Sequence, residues 1–230
     1  MRKQLFVVLF VYLYVAPSMS LTWVNQDHKH INESRSHYEE RLERHKDRWY
    51  WQMPRRVMNE LMIGPGMSVA DVGAGIGYFT LRLSERVGET GKVYASDIDQ
   101  GGLDFLDERR KEANLENIHI IHGKENDPMI PDVSVDLVMI VNTIQFVKEK
   151  TEFLDNIRKS LKQNGRLVFV QWNAEKMDSE LPGWGKDDRE LYTLHTMLRM
   201  IYEADYEVLE IKDFLPMQLI YVCQPSDTSK

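Results

Sequence analysis

The sequence has one cysteine in 230 residues, Cys223, and this scarcity removes several kinds of chemistry. An internal disulfide, a multi-cysteine metal site and a thiol relay each need at least two cysteines. The chain also has no concentrated run of lysine and arginine. Its net charge is -7 and its isoelectric point is near 5.5. Domains that bind nucleic acid usually carry a concentrated basic face, so nucleic acid is not expected as a partner.

Long apolar runs are equally scarce, and the longest is residues 5–16, directly behind Met-Arg-Lys. Ser18 and Ser20 supply small residues at the two positions that a signal peptidase reads, so residues 1–20 are predicted to be a cleaved signal peptide. A bilayer-spanning helix needs roughly 20 apolar residues, and extending the block that far takes in Pro17. An uncleaved membrane anchor is therefore the second interpretation, and a buried strand of a cytoplasmic protein is the third.

The first two interpretations place the rest of the chain outside the cytoplasm, exported or held at a membrane by its N-terminus. Residues 21–36 are polar and are expected to form a linker, and its two histidines lack a scaffold that would make them metal ligands. Residues 37–225 are predicted to form one domain, because a chain of this length suffices for one sizeable core. Residues 226–230 remain as a tail. The sequence does not indicate an oligomeric state.

The most informative stretch is an apolar run, Ser68–Val72, that ends in three glycines, Gly73, Gly75 and Gly77, before helical spacing begins. This order predicts a strand, a tight turn and a helix. Glycines permit backbone conformations closed to other residues and carry no Cβ, while a helix start presents unpaired N–H groups to an anion. The turn therefore resembles a cradle for a small ligand bearing a carboxylate or phosphate, although a tightly packed turn without ligand has the same pattern.

Strands and helices alternate through the body of the chain. The strands are predicted at Ser68–Val72, Lys92–Asp97, Ile118–Ile121, Val135–Val141, Arg166–Trp172, Tyr206–Lys212 and Gln218–Gln224. Residues 213–217 are too few for a crossover helix, so the last two strands are expected to pair as an antiparallel hairpin. The predicted fold class is α/β, a Rossmann-like doubly wound sheet of seven mostly parallel strands that ends in an antiparallel strand.

Several helices are also predicted from spacing and end signals. A first helix starting at Ser34 would bury one apolar stripe, and a second would carry Pro54 in its first turn. A later helix is predicted over Thr151–Leu161, and Gln163–Gly165 is expected to end it in an αL conformation. Another helix is expected over Asp187–Glu203. The inward residues are predicted to be Tyr38, Leu42, His45 and Trp49 in the first helix and Val57, Leu61 and Met62 in the second.

Three positions near the glycine turn indicate which class of ligand it would bind. A dinucleotide fingerprint would place its third glycine at the position of Tyr78. Asp71, just inside the strand, would attract an ammonium group and repel a pyrophosphate, which favours a ligand resembling an amino acid. Asp97, at the end of the second strand, is placed to accept hydrogen bonds from two ribose hydroxyls, with Asp99 as the alternative.

The motif Asp71-Val72-Gly73-Ala74-Gly75-Ile76-Gly77 resembles motif I of the class I S-adenosylmethionine-dependent methyltransferases. Three further segments resemble their later motifs, namely residues 93–99, 134–138 and 161–167. The resemblance spans about residues 51–225. Within the family it is similar to small bacterial members with an export signal, which share the loop matched here by Asp127-Pro128 and Pro131.

The resemblance implies S-adenosylmethionine as cofactor and methyl transfer to a small molecule as activity. It assigns the methionine part to the glycines, the amino group to Asp71 and the ribose to Asp97. Many relatives have an aspartate where Lys124 stands, so the adenine role passes to Glu125 or Asn126. The full set of cofactor residues that it implies is Asp71, Gly73, Gly75, Gly77, Asp97, Ile98, Glu125, Asn126 and Asn142.

Methyl transfer by in-line displacement relies on alignment of the reactants and does not demand an acid–base pair. If the acceptor must lose a proton, the candidates are Asn142 and Gln145 as orienting groups and His195 as base, although a surface histidine fits the same pattern. Two other functions stay open. One is a catalytically idle exported relative that binds a nucleoside-like metabolite or a protein partner, and the other is a nicotinamide oxidoreductase, which Tyr78 disfavours.

Overall fold

The computed structural model describes residues 34–176 and 192–226. Its strands are β1 (Ser68–Val72), β2 (Lys92–Asp97), β3 (Ile118–His122), β4 (Val135–Val141), β5 (Leu161–Trp172), β6 (Tyr206–Lys212) and β7 (Gln218–Pro225). They form one seven-stranded sheet in the order β3-β2-β1-β4-β5-β7-β6. The first five strands are parallel, and β7 runs antiparallel to both of its neighbours. The predicted fold class is confirmed.

Helices cover both faces of the sheet. They are α1 (Arg35–Gln52), α2 (Pro54–Glu60), α3 (Thr80–Val87), α4 (Gln100–Glu112), α5 (Lys150–Ser160) and α6 (Leu194–Glu203), with a 3₁₀ turn at Ile144–Phe146. One face of the sheet packs on α2, α3 and α4, and the other packs on α5 and α6. This double cover explains why β4 is apolar almost throughout, because a parallel strand buried on both faces has no solvent side.

The central strand β1 lies between β2 and β4, and the order of the strands reverses there. In open α/β sheets, ligands bind beyond the carboxyl ends of the strands at such a switch point. The turn that follows Val72 lies at this edge. So do the residues that follow the carboxyl ends of β2, β4 and β5.

The boundary between α5 and β5 differs from the prediction. The helix ends at Ser160, because Leu161 is already extended (φ -72°, ψ 135°) and pairs with Val135 of β4. The predicted αL stop is wrong, and β5 begins five residues before Arg166. Gly165 is needed for a different reason, since a Cβ there would lie 2.9 Å from the main-chain oxygen of Lys162.

Two predicted inward positions are also wrong. Met62 is 73% exposed, because the chain leaves α2 at Glu60 and turns at Met62 with a positive φ of 55°. Trp49 is 54% exposed, while Tyr38 on the same helix is buried as predicted. The predicted stripe of α1 thus holds at Tyr38 and at the half-buried Leu42 and fails at Trp49, while the side chain of His45 is outside the described part of the chain.

The last predicted helix begins later than expected. Thr193 accepts a hydrogen bond from the N–H of Thr196 and so caps α6, which starts at Leu194. The predicted start at Asp187 lies outside the described residues, as do the predicted signal peptide and most of the linker. In the two described ranges, no helix combines the length and the apolar character needed to cross a membrane.

Candidate functional site

The turn between β1 and α3 is built from the three glycines, which have positive φ values of 78°, 52° and 82° at Gly73, Gly75 and Gly77. A Cβ at Gly73 would clash with the side chain of Thr143, which follows β4, and one at Gly77 would clash with Leu106 of α4. The backbone therefore takes a left-handed path that brings it close to neighbouring elements. The N–H groups of the glycines are themselves used within the fold, since that of Gly73 donates to Ser96, that of Gly75 to Asp97 and that of Gly77 to Ala74. What the turn presents is backbone without a Cβ.

Asp71 lies beneath this turn. Its side chain is only 2% exposed, and Oδ2 accepts a hydrogen bond of 2.6 Å from the hydroxyl of Thr80 at the start of α3. Burial raises the pKa of this carboxyl group to about 6, against the lowering effect of the Thr80 hydrogen bond. The carboxylate thus joins the end of β1 to the start of α3, and a contact with a ligand amino group stays a prediction.

Asp97 joins the end of β2 to the same turn. Its Oδ2 accepts a hydrogen bond of 2.7 Å from the N–H of Gly75, and its Oδ1 accepts one of 3.0 Å from the N–H of Asp99. Burial raises the pKa of Asp97, and these two hydrogen bonds oppose that rise. The half-buried Ile98 lies between the two acids, and its main-chain oxygen contacts the ring of His122 at 3.1 Å.

The loop after β3 is fixed next to Asp97, because the N–H of Gly123 donates to the main-chain oxygen of Asp97 at 2.9 Å. In this loop Glu125 is exposed. Asn126 donates from Nδ2 to Glu152 of α5 at 2.7 Å. The structure therefore brings the predicted adenine loop to the predicted ribose residue, with the side chain of Asn126 directed at α5.

Helix α1 covers the glycine turn, and it does so through polar and charged side chains. The hydroxyl of Tyr38 donates to Oδ1 of Asp99 at 2.9 Å, and Arg41 lies 3.9 Å from the other oxygen of the same carboxylate. Further along, the guanidinium of Arg48 lies 4.0 Å from the ring centre of Tyr78. Burial lowers the pKa of Arg48 to about 10. From Tyr38 to the end of the helix is about 21 Å, so α1 extends along the whole edge.

The far end of α1 reaches the carboxyl ends of β4 and β5. Trp51 contacts Trp172, the last residue of β5, with ring centres 4.9 Å apart. Asn142 follows β4 with a positive φ of 52°, and its main-chain oxygen accepts a hydrogen bond of 2.8 Å from Nε2 of Gln145. The predicted pair Asn142 and Gln145 is thus together. His195 is exposed on α6, and no hydrogen bond or ion pair of the described residues joins it to that pair.

These features form one site with two halves. The glycine turn and the ends of β2 and β3 form the first half, which combines backbone without Cβ atoms and the carboxylates of Asp97 and Asp99. This arrangement fits an amino acid joined to a nucleoside, because no Cβ of the turn obstructs the ligand and the carboxylate of Asp97 lies beside the turn. The ends of β4 and β5 form the second half, which is rich in carboxamides. In the described ranges, no group of three or more His, Cys, Asp and Glu residues could hold a metal ion.

Comparison with known proteins agrees with this geometry. The protein family described as "Methyltransferase domain" matches residues 63–216. A demethylmenaquinone methyltransferase of Staphylococcus aureus is 32% identical over 117 residues, which is 51% of this chain and 48% of the relative. The same enzyme of Listeria welshimeri is 28% identical over 130 residues, or 56% of this chain and 53% of the relative. The chain thus spans about half the length of the curated relatives that it matches.

Solved structures give the same fold. A SAM-dependent methyltransferase from Aquifex aeolicus superposes with a TM-score of 0.70 at 26% identity and covers 76% of this chain and 91% of its own. A methyltransferase from Methanococcus maripaludis superposes with a TM-score of 0.68 and covers 89% of this chain and 98% of its own. Because the two sequences are only 17% identical, this match supports the fold alone. Together the family match and the Aquifex structure support S-adenosylmethionine as the cofactor.

Proposed function

The chain belongs to the methyltransferase domain family, and from this we propose that it transfers a methyl group from S-adenosylmethionine to a planar aromatic small molecule. The observation that carries the proposal is the hydrogen bond between Gly75 and Asp97, which holds the glycine turn beside the carboxylate that we propose binds the ribose. A dinucleotide would need a third glycine at the place of Tyr78.

The residues of the first half would hold the cofactor. The glycine turn would hold its methionine part, Asp97 its ribose hydroxyls, and Glu125 or Asn126 its adenine. When bound, S-adenosylmethionine would supply a methyl group on a sulfonium sulfur. The sulfur would keep the electron pair of the broken bond, an electron pair of the acceptor would form the new bond, and the acceptor would lose a proton to water. The chain's contribution is alignment, and holding two reactants in line accounts for roughly 7 to 11 kcal/mol of a barrier.

The aromatic acceptor is inferred from two observations. The half-buried ring of Trp51 pairs with the buried ring of Trp172 at the carboxyl end of β5, and this apolar end of the strand would suit a planar molecule. The relatives carry names that refer to demethylmenaquinone or to ubiquinone and menaquinone biosynthesis. We therefore propose an aromatic ring with hydroxyl substituents as the acceptor class.

A methyl-transfer assay tests this function. The full-length protein is incubated with methyl-labelled S-adenosylmethionine and 1,4-dihydroxynaphthalene, and label in the organic phase is counted. We expect transfer by the wild type, a loss of at least roughly tenfold for Asp97→Ala, and no change for the exposed Asp132→Ala. Cofactor binding without transfer to the diol would contradict the acceptor class, and no cofactor binding would contradict the function as a whole.

We also propose that residues 1–20 direct export, on the basis of the Met-Arg-Lys lead, the apolar block and the two small residues before position 21. N-terminal sequencing of the product tests the cleavage, which should leave Leu21 as first residue. An intact Met1 in the soluble cytoplasmic fraction would contradict export, and an intact Met1 in the membrane fraction would favour the uncleaved anchor.

A further inference from the structure

Five carboxamide side chains from five different segments meet in the second half of the site, at the ends of β4 and β5. They are Gln52 at the end of α1, Asn142 after β4, Gln145 in the 3₁₀ turn, Gln171 near the end of β5 and Gln218 at the start of β7. Three of them, Gln52, Gln171 and Gln218, are almost completely buried. Glutamine is mostly exposed in proteins, and a buried polar group is unfavourable unless its hydrogen bonds are made. Each donor and acceptor of this network is therefore expected to have a hydrogen-bond partner.

The first branch has its direction fixed by the main chain. The carbonyl oxygen of Asn142 can only accept, so Gln145 must direct Nε2 towards it, which the 2.8 Å contact confirms. Oε1 of Gln145 then faces Gln171 and accepts a hydrogen bond of 2.9 Å from its Nε2. Rotating either amide would set two oxygens or two NH₂ groups against each other. The branch thus ends in Oε1 of Gln171.

The second branch has its direction fixed by an arginine. Nε of Arg48 is only a donor, and it contacts Oε1 of Gln52 at 2.9 Å. Gln52 then donates to Oε1 of Gln218 at 3.2 Å, and Gln218 donates to Oδ1 of Asn142 at 2.8 Å. Both branches meet at Asn142, whose positive φ turns it out of the strand direction. A hydrogen-bonded network of this kind holds its members in one orientation.

One atom of this ordered network is left over. Oε1 of Gln171 is buried and has no hydrogen-bond partner in the described residues, although Gln171 is only 1% exposed. Because the first branch fixes the amide, the oxygen cannot exchange places with the donor nitrogen. A buried acceptor without a partner weakens the folded state, and such groups in native proteins call for an explanation.

We propose that Gln171 is the specificity-determining residue for the methyl acceptor, and that its Oε1 accepts a hydrogen bond from a hydroxyl group of the aromatic ring. This inference rests on the proposed function. Gln171 and Trp172 are the last two residues of β5, so both lie at the edge that carries the glycine turn, and their side chains leave the strand on opposite faces. A site built to bind a hydroxyl group strongly rejects analogues that lack it.

The test compares two ligands that share one ring system. 1,4-Dihydroxynaphthalene has the hydroxyl hydrogens, and 1,4-dimethoxynaphthalene does not. Each is titrated calorimetrically, without oxygen, into the full-length protein saturated with S-adenosylhomocysteine. We expect the wild type to bind the diol at least roughly tenfold more tightly than the diether. A wild type that binds the diol no better than the diether, or not at all, overturns the proposal.

Two substitutions test whether the preference for the diol over the diether depends on Gln171. Gln171→Met keeps the length of the side chain but removes the oxygen, so the preference for the diol should disappear while the affinity for S-adenosylhomocysteine stays within about twofold. Gln163→Met, on an exposed position of the same strand, should retain the preference.

A second variant covers the case in which Gln171→Met does not fold. Gln145→Met, at a half-buried position, removes the oxygen that orients Gln171, and it should also reduce the preference for the diol. An unchanged preference in whichever variant folds, or unfolding of both, assigns Gln171 to structure alone and overturns the proposal. Failure of S-adenosylhomocysteine to bind the wild type would contradict the proposed function instead, so the two failures are distinct.

Discussion

The main-chain N–H of Gly75 donates a 2.7 Å hydrogen bond to Oδ2 of Asp97, which joins the turn after β1 to the end of β2. The turn cannot move without disturbing this carboxylate, and the carboxylate cannot rotate freely towards solvent. A donor in the turn and an acceptor on the adjacent strand are thus held at a fixed separation before any ligand arrives. Preorganisation of this kind lowers the cost of binding.

The glycine turn should not tolerate side chains. Gly77→Ala places a Cβ against Leu106 at a φ of 82°, so we expect a loss of about 3 kcal/mol in the free energy of unfolding. Gly64→Ala is the matched control, since no atom lies within 4 Å of a Cβ there, and it should change stability by less than about 0.5 kcal/mol. Urea denaturation measures both, and equal losses would contradict the proposed clash.

Burial of Asp71 should make stability depend on pH in a particular direction. The pKa of this carboxyl group is about 6 in the folded chain and about 4 in an unfolded one. The folded state therefore binds the proton more tightly, and the stabilisation present below pH 4 is lost as the pH rises to 6, amounting to about 3 kcal/mol. Asp97 shifts in the same direction.

The control for this pH dependence is Asp71→Asn, which still accepts the Thr80 hydrogen bond but does not titrate. The free energy of unfolding should fall less steeply between pH 4 and 6 in the variant than in the wild type. Denaturant titrations at several pH values measure the two slopes. Parallel slopes would show that Asp71 has an ordinary pKa in the folded protein.

The parts of the fold that the sequence predicted well are those with local signals. Ser68–Val72 and Val135–Val141 are apolar runs of strand length, and both are buried strands with the predicted ends. The glycine turn was likewise readable, because its glycines stand at alternate positions. Gly165 was misread as a helix stop, since the same residue type serves both a left-handed φ and a close contact with another backbone segment.

Val133 holds a conformation that is unfavourable for its type. Its φ is 45° and its side chain is 67% exposed, so no burial of the side chain offsets the steric cost of a β-branched residue in the left-handed region. Val133→Asn should raise the free energy of unfolding by about 1 kcal/mol, because asparagine tolerates this region. Val133→Ile keeps the branching and should leave stability unchanged. A lower urea midpoint for Val133→Asn would contradict the steric explanation.

Cofactor binding should protect α1 against hydrogen exchange. This helix reaches the glycine turn mainly through Tyr38, Arg41 and Arg48, and its buried apolar contacts are few. Its opening free energy is therefore expected to be low in the free protein. S-adenosylhomocysteine should slow exchange of the α1 amides and leave those of the distant edge strand β6 unchanged. Equal exchange of α1 with and without the ligand would contradict its role as a cover.

The sequence could not reveal the orientation of α1. Charged residues on a helix usually indicate a solvated face, yet Arg48 is largely covered because it lies on the Tyr78 ring and donates to Gln52. The contact with Tyr78 joins residues that are far apart in the chain, and the contact with Gln52 joins two polar residues one helical turn apart. The buried network of Gln171 and Gln218 was missed for the same reason, because each glutamine stands at the end of a strand, where exposure is the usual outcome.

The most direct test of the central claim is a calorimetric titration of the full-length protein with S-adenosylmethionine, S-adenosylhomocysteine and NAD. We expect micromolar binding of the first two and none of NAD, because Tyr78 stands where a dinucleotide site needs glycine. Asp97→Ala should abolish the binding, while Asp132→Ala should not. Binding of NAD, or no binding of either sulfur compound, would contradict the assignment of the glycine turn to S-adenosylmethionine.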